Sequence, residues 1–356
     1  MNEKKIIKLD GSIGEGGGSI IRLSAGFSTL FNQPIHIFNI RANRQKPGLR
    51  QQHLLGLRTL AELTNSDLSP CEVGSKEIKL IPGGPIQKSE INVNVNTAAS
   101  LGLLLQPIQI ASLSMKKSQG LSVNIHGGGT FGKWAPSLDY LRDVTYRVFK
   151  KAGLNIDIKI NRHGFYPKGG AKVHCSISME TNSLKPINMT NLGNIELING
   201  EIILSNHFQN KNNIGERIKN TILREIKKYH HKVNVKINCR YVSAHSQGLG
   251  LHLWANSDTG AIISTGTILG EKQITSEQLG KLAVKELTKY IKNDIPVDNF
   301  TSDQLIALMV YSKSSSSIKV LEITSHTQTN LDLFKKFSKR NYNIRKEQVG
   351  YCIEFD

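Results

Sequence analysis

One pattern of secondary structure is predicted three times along this chain: a short alternating strand, a polar turn and a helical segment. The three turns are RANR (41–44), HGGGT (126–130) and SHTQTN (325–330), and each follows a run of alternating apolar and polar residues. Such alternation is typical of a half-buried strand, whereas apolar residues three and four apart indicate a helix. The recurrence predicts three related α/β repeats around one core, with functional side chains at equivalent strand ends.

Residues 186–290 interrupt this pattern. The segment contains several strand-like runs, such as VNVKINCRYV, and it ends with an amphipathic helix predicted over 276–291. We therefore assign the chain to the α+β class with two domains. Residues 1–185 and 291–356 are predicted to form the core, and 186–290 a smaller inserted α/β domain.

The charge of the chain indicates a polyanionic partner. Its 356 residues include 46 Lys and Arg against 28 Asp and Glu, a formal net charge of +18. Nucleic acid is the first partner to consider, with a generally lysine-rich composition as the alternative explanation. No apolar run approaches the roughly 20 residues of a membrane span, and MNEKKIIKLDG lacks the apolar core of a signal peptide. We expect a cytoplasmic protein with no membrane partner and with four free cysteines.

A glycine-rich stretch, GSIGEGGGSIIR, occupies positions 11–22. It has neither the GxxxxGK[ST] pattern of a P-loop nor the GxGxxG pattern of a dinucleotide-binding fold. It is either a backbone turn before a helix or an anion site, because glycine N–H groups at a helix start bind phosphates. Glu15 could hold Mg²⁺ or Mn²⁺ beside such phosphates, or it could cap the helix.

Arginines and a histidine provide the other candidate groups. Arg41 and Arg44 follow a predicted strand, and together with Arg22 they favour a phosphate site over a solvated loop, because guanidinium groups bind phosphate bidentately. His326 follows a buried-looking strand among hydroxyl and amide side chains, which suits a nucleophilic imidazole. His53, taken alone, is better explained as a histidine at the edge of the core.

Six segments, taken in order, resemble the RNA 3′-terminal phosphate cyclase family over nearly the whole chain. They are LDGSIGEGGGSIIR, IRANRQKPGLRQQHL, HGGGT, RHGFYPKGG, SDQL and SHTQTN. The resemblance implies three βαβαββ units, similar to the C-terminal domain of a translation initiation factor, with an inserted smaller α/β domain. It also implies an activity in which ATP adenylates a histidine, AMP passes to an RNA 3′-phosphate, and the 2′-OH displaces AMP to give a 2′,3′-cyclic phosphate. ATP, Mg²⁺ or Mn²⁺, and RNA with a 3′-phosphate end are the implied ligands.

The same resemblance implies roles for individual residues. His326 corresponds to the adenylated histidine and Glu15 to the metal-side acid, and Arg22 and Arg44 are expected to act in catalysis with His326. The remaining correspondences are Arg22, Arg41, Arg44, Gln52 and His53 around the phosphates and the RNA end, Gln106 on a phosphate, Asp303 and Gln304 near the nucleotide, and Pro136 and Phe300 on the two faces of the adenine. Phe300 stands where many family members have tyrosine, so it keeps a stacking face without the hydroxyl.

Three other functions fit part of these features. A cyclase-like ribosome-assembly protein shares the fold but lacks the nucleophile, and a plain RNA-binding module would use only the basic surface. An enolpyruvyl-transferase-like enzyme of similar repeat architecture would use the arginines on phosphorylated small molecules. His326, together with Glu15, Arg22 and Arg44, favours an active cyclase over the first two, and the HTQTN segment favours it over the third.

Overall fold

The computed structural model of the chain describes residues 4–14 and 16–356. Within these ranges the strands are β1 Ile7–Asp10, β2 Ile35–Phe38, β3 Asp67–Leu68, β4 Ile78–Ile81, β5 Glu90–Ser100, β6 Gly120–Gly129, β7 Leu154–Arg162, β8 Lys172–Met179, β9 Asn188–Met189, β10 Ile195–Ser205, β11 Asn234–Val242, β12 Leu249–Ser257, β13 Ile262–Ser264, β14 Ile268–Leu269, β15 Ser316–Val320, β16 Tyr342–Lys346 and β17 Tyr351–Phe355. The helices are α1 Ser19–Leu30, α2 Gln51–Thr64, α3 Leu101–Ser112, α4 Leu138–Tyr140, α5 Tyr146–Ala152, α6 Ile214–Tyr229, α7 Ser276–Lys292, α8 Asn299–Tyr311 and α9 Ser325–Phe334. A π-helical turn, Leu141–Thr145, joins α4 to α5, and a 3₁₀ turn, Asn206–Phe208, follows β10.

Three of the four sheets have four strands each, arranged in the same way. In the first sheet β1 pairs in parallel with β2, β2 pairs antiparallel with β4, and β4 pairs antiparallel with β3. The second sheet has the order β5-β6-β8-β7 and the third has the order β9-β15-β17-β16. In both, the first pair of strands is again parallel and the other two pairs are antiparallel. Helices connect the parallel strands, as parallel pairing requires a crossover. The predicted α+β class is confirmed.

The fourth sheet lies in the segment between β9 and α8. Its order is β11-β10-β12-β13, with β14 also paired to β12. Alternate residues of β12 belong to two different apolar clusters, because this strand is buried on both faces and successive side chains point to opposite faces. Leu251 and Leu253 pack with α6 and α7, whereas Trp254 packs with the cluster of the other three sheets. The inserted sheet therefore lies between α6 and α7 on one face and the rest of the molecule on the other.

Helix α3 lies in the middle of the larger apolar cluster, with α1 and α2 packed against it. Gly26 of α1 faces this helix so closely that a Cβ atom there would lie 2.7 Å from the Cβ of Ile110. Every residue of α1 is buried, including its only charged residue, Arg22. None of the helices in the described ranges is long and apolar enough to span a bilayer.

A charged junction joins the inserted sheet to the π-helical turn. Asp143 accepts hydrogen bonds from Arg142 in the same turn, and its Oδ2 lies 3.2 Å from Nε2 of His252 on β12. Burial raises the pKa of Asp143, but the hydrogen bonds from His252 and Arg142 outweigh that effect and lower it to about 2. Asp139 is fully buried beside them and accepts a 3.2 Å hydrogen bond from Arg240 of β11. The junction is thus held by paired charges.

A second connection runs from the inserted sheet to α8. Asp298 is the N-cap of α8 and is fully buried, with a pKa raised to about 6 by that burial. Its Oδ1 accepts hydrogen bonds from the N–H groups of Phe300 and Thr301, at 3.0 and 2.8 Å. Its Oδ2 accepts from Thr301 Oγ1 and from the N–H of Ser264 on β13, at 3.0 and 2.9 Å. One carboxyl group therefore starts α8 and ties it to the inserted sheet.

We expect Asp298→Ala to lower the free energy of unfolding by about 2 to 4 kcal/mol, measured by urea denaturation. The change removes an N-cap and also leaves buried N–H groups without acceptors. Thr275→Ala is the matched control, because Thr275 caps α7 at an exposed position and its loss should cost only about 1 kcal/mol. Equal losses for the two variants would show that Asp298 acts as an ordinary cap.

Candidate active site

A cleft of about 310 Å³ lies between α1, α3, α8, α9 and the loop 132–136. It brings together seven of the predicted site residues from these five parts of the chain. These lining residues are Arg22, Gln106, Pro136, Phe300, Asp303, Gln304 and His326. The other predicted residues, Arg41, Arg44, Gln52 and His53, do not line this cleft, and Glu15 lies outside the described residues.

Arg22 is the buried cation of the cleft. It is 8% exposed, and its Nε donates a 2.8 Å hydrogen bond to Oε1 of Gln106 on α3. Burial, followed by the charge of Arg41, lowers the pKa of Arg22 to about 10. No carboxylate in the described ranges forms an ion pair with Arg22, and α1 has no acidic residue in its first turn. Because a buried charge is costly without a counter-ion, this end of the cleft is suited to an anion.

His53 lies beside Arg22 at the start of α1. It is 3% exposed, and its Nδ1 accepts a 3.1 Å hydrogen bond from the N–H of Arg50. Burial lowers the pKa of His53 well below its usual value, and the charges of Arg22, Arg41 and Arg50 lower it further. The ring is therefore neutral, and the accepting Nδ1 assigns its proton to Nε2. A Cβ at Gly18 would lie 2.0 Å from that Nε2, so only glycine allows this approach.

The loop after β2 adds Arg41 to the group formed by Arg22 and His53. Arg41 has a positive φ of 53° and donates hydrogen bonds from Nη1 to the carbonyl groups of Lys46 and Gly48, at 2.7 and 3.1 Å. Its charge reaches Arg22 and His53, because it contributes to lowering the pKa of both groups. Gln52 is half-buried in the first turn of α2. The structure thus groups Arg41 and His53 with Arg22.

His326 is exposed in the first turn of α9 and faces the cleft. Our sequence analysis placed it at a strand end, but β15 ends at Val320 and a helix starts before the histidine is reached. The N-cap residue Thr324 accepts a 2.9 Å hydrogen bond from the N–H of Thr327. Asp303 of α8 accepts hydrogen bonds from both threonine hydroxyls, at 3.0 and 2.6 Å, on the same Oδ1. This carboxylate therefore holds the turn that presents His326.

The apolar part of the cleft includes Phe300 and Pro136. Phe300 is 48% exposed in the first turn of α8, and the ring of Tyr140 lies edge-on to it at 6.5 Å between centroids. Gly266 packs against the Phe300 ring, where a Cβ would lie 2.6 Å from two ring carbons. One side of the Phe300 ring is thus supported by the inserted segment, and the ring offers a flat surface to a ligand.

The cleft has further lining residues that the sequence does not single out, among them Asn330, Tyr140 and Trp134. Asn330 is buried and donates a 2.8 Å hydrogen bond to the carbonyl of Asp303, while its Oδ1 accepts none within the described ranges. Its spacing of four residues from His326 puts both on one helix face, which is a signal the sequence carried. Tyr140 and Trp134 carried no comparable signal, since only the tertiary structure places them at the cleft.

We expect His53→Gln to weaken the dependence of stability on pH. Because the pKa of His53 is lower in the folded than in the unfolded chain, its contribution is fully present above about pH 6.5 and is lost as the pH falls, at up to about 1.4 kcal/mol per pH unit. Urea denaturation at about pH 7.5 and about pH 5.5 should therefore show a smaller loss in the variant, by roughly 1 kcal/mol or more. Identical losses in both proteins would contradict a neutral, buried His53.

A family model and several known proteins are similar to this chain over nearly its whole length. The family model for RNA 3′-terminal phosphate cyclase matches residues 13–344. The protein named RNA 3′-terminal phosphate cyclase in Pyrococcus abyssi is 34% identical over 344 residues, which cover 96% of each chain. Those of the same name in Methanothermobacter thermautotrophicus and Pyrobaculum aerophilum are 32% and 30% identical, over 97% and 98% of this chain and 98% of each relative. The chain therefore belongs to the RNA 3′-terminal phosphate cyclase family.

Proposed function

We propose that the protein is an active, ATP-dependent RNA 3′-terminal phosphate cyclase. The observation that carries the proposal is the position of His326, exposed in a helix turn held by Asp303, in the same cleft as the buried Arg22. An inactive relative or a simple RNA-binding module has no need for an exposed histidine in the same cleft as a buried cation that forms no ion pair with a carboxylate of residues 4–14 and 16–356. The family membership and the names of the relatives support the same function.

The reaction has three displacements at phosphorus. A neutral imidazole nitrogen of His326 attacks the α-phosphorus of ATP, so that an N–P bond forms and the P–O bond to pyrophosphate breaks. A terminal oxygen of the RNA 3′-phosphate then attacks the same phosphorus, which releases His326 and forms a phosphoanhydride between RNA and AMP. Finally the adjacent 2′-OH attacks the RNA phosphorus, loses its proton and expels AMP. The product is a 2′,3′-cyclic phosphate.

The cations of the site stabilise the charge that develops in these steps. Arg22, oriented by Gln106, and the N-terminus of α1 are positioned in advance for phosphate oxygens, as electrostatic stabilisation requires. We assign Arg44 to the same catalytic role, and Arg41 and Gln52 to the phosphates and the RNA end. His53 would contribute a neutral N–H donor rather than a charge, since its ring is unprotonated.

The nucleotide would be held by residues of α8 and of the loop 132–136. Phe300 and Pro136 line the cleft as apolar surfaces for the adenine, and Gln304 lies beside Asp303 on the same helix. Asp303 has the further role of positioning His326 through Thr324 and Thr327. We therefore expect substitution of Asp303 to slow the transfer of AMP from ATP to His326, even in a variant that still binds ATP.

A divalent ion would be bound at this site by few protein ligands. In residues 4–14 and 16–356 no three His, Cys, Asp or Glu side chains form a group able to hold a metal. Mg²⁺ commonly takes one or two carboxylates and completes its ligands with phosphate and water, and we assign the carboxylate to Glu15. When bound, Mg²⁺ or Mn²⁺ supplies positive charge to the ATP phosphates.

RNA is the substrate that this chemistry requires. The last displacement needs a hydroxyl adjacent to the activated phosphate, and the ribose 2′-OH supplies it without any help from the protein. A DNA 3′-phosphate would accept AMP but could not form a ring. The net charge of +18 favours contacts to the RNA backbone, with little reading of base sequence.

The architecture is also part of the proposal. We interpret the three sheets of identical strand order as three βαβαββ units of the core, 1–185 and 291–356. The separate apolar cluster that runs from Leu192 to Ile295 supports an inserted domain over 186–290.

The test uses ATP labelled in its α-phosphate, with Mg²⁺ or Mn²⁺. We expect the protein to acquire label that is labile to acid and stable to base, as a phosphoramidate is, and His326→Ala to acquire none. His207→Ala is the matched control, because His207 is exposed in the inserted segment away from the cleft, and it should label as the wild type does. RNA ending in a 3′-phosphate should discharge the label.

Two outcomes would refute the proposal. Absence of label with either metal, with RNA still bound, would indicate a cyclase-like assembly factor. Label that persists in His326→Ala would show that another residue is the nucleophile.

A further inference from the structure

Trp134 is the most exposed large apolar side chain in the described ranges, at 91% exposure. It lies at the tip of a tight turn in which Gly132 and Ala135 pair as a β-bridge. Its φ is +56°, in the left-handed region that glycine and asparagine normally occupy. A bulky residue there stores strain of about 1 to 3 kcal/mol, and such residues concentrate at ligand sites.

The turn is held in place on both sides, so the exposure of Trp134 does not result from a loose loop. Before it, Phe131 is buried and stacks on Phe165 at 5.1 Å between centroids. After it, the N–H of Ser137 donates a 2.8 Å hydrogen bond to Oγ1 of Thr267. The indole ring is thus held outside the core by a well-anchored backbone.

Trp134 lines the active-site cleft and has a cation over its ring. The same cleft contains His326 and Arg22. The ammonium group of Lys133 lies over the indole ring, 5.2 Å from its centroid, and also pairs with Glu271 of the inserted segment at 3.3 Å. An exposed aromatic face next to a positive charge is the combination that single-stranded nucleic acids bind, with a base on the ring and a phosphate on the cation.

We propose that Trp134 is a stacking platform for a nucleobase at the 3′ end of the RNA substrate. This inference rests on the proposed function, since it names how that substrate is held. A small nucleotide buries most of its surface when bound, so the residues that hold adenine lie inside the cleft. A ring that is 91% exposed at the rim is instead suited to the terminal base of a polymer whose 3′-phosphate reaches into the cleft and whose preceding nucleotides continue outside it.

Stacking on Trp134 has a defined consequence for the reaction. Any base can stack, so the platform increases the affinity for RNA ends without selecting a sequence. It has no part in the transfer of AMP from ATP to His326, because RNA is absent from that step. Loss of the ring should therefore affect only the discharge of the adenylated protein by RNA.

The experiment separates these two steps in Trp134→Ala and Trp134→Phe. The protein is first labelled from ATP and then discharged with increasing concentrations of a short RNA that ends in a 3′-phosphate. We expect Trp134→Ala to label at the ATP concentration of the wild type, but to need about 5- to 100-fold more RNA for half-maximal discharge. Trp134→Phe keeps an aromatic face and should recover most of the loss.

Two controls make the result specific. Tyr166→Ala removes another highly exposed aromatic residue, 82% exposed, which does not line this cleft, and it should behave as the wild type. An RNA whose 3′-terminal nucleotide lacks its base should discharge the wild type and Trp134→Ala equally well. A difference that persists with the abasic RNA would overturn the assignment to the terminal base.

Other results would also overturn the proposal. Equal RNA requirements of the wild type and Trp134→Ala would show that the ring does not bind RNA. A raised ATP requirement in Trp134→Ala would assign the ring to adenine instead.

Failure of the proposed function remains distinguishable, because RNA binding can be followed without catalysis. Titration with the same RNA should quench the fluorescence of Trp134 in the wild type. The Trp134→Phe variant retains only the buried Trp254 and should show little change. Absence of quenching in the wild type would refute the stacking whether or not the protein can be labelled.

Discussion

The burial of Arg22 between α1 and α3 determines the character of the cleft. A guanidinium that is 8% exposed keeps its charge at a cost, and here its Nε donates a hydrogen bond to the uncharged side chain of Gln106. Arg22 is thus a buried positive charge in the first turn of α1. Burial of His53, followed by the charges of Arg22, Arg41 and Arg50, lowers the pKa of that imidazole and keeps it neutral. An anionic ligand would relieve this unbalanced charge.

Two carboxylates hold in place α8 and the first turn of α9, which form another side of the cleft. Asp298 starts α8 and ties it to the inserted sheet through the N–H of Ser264, and Asp303, one turn further along, holds the first turn of α9. Asp298 thus links β13 to α8, and Asp303 links α8 to the turn that carries His326. The inserted segment contributes to the geometry of the cleft through these hydrogen bonds and through the charged junction at His252. It also lines the cleft directly with Thr267 and with Leu269 of β14.

Local sequence patterns predicted the helices and strands better than they predicted which neighbours each element packs against. The sequence indicates Arg22 as a phosphate ligand through its company with Arg41 and Arg44, but no local pattern shows that the residue is buried. It is buried because α3 packs on α1, and residue spacing within one helix cannot report a packing partner from a distant part of the chain. His326 was expected at a strand end for a related reason. The cap formed by Thr324 begins a helix within a segment whose hydroxyl and amide residues also suit a turn.

The sequence by itself determined the family, the α+β class and the identity of the candidate nucleophile, because ordered motifs and apolar periodicity are local properties of the chain. Tertiary structure alone decided which residues meet. It places Gln106 on Arg22, 84 residues away in the chain, Asp303 on the turn of His326, and Trp134 at the rim of the cleft. It also decided the charge states, since the pKa of Arg22 and that of His53 depend on burial and on neighbours that no spacing in the chain specifies.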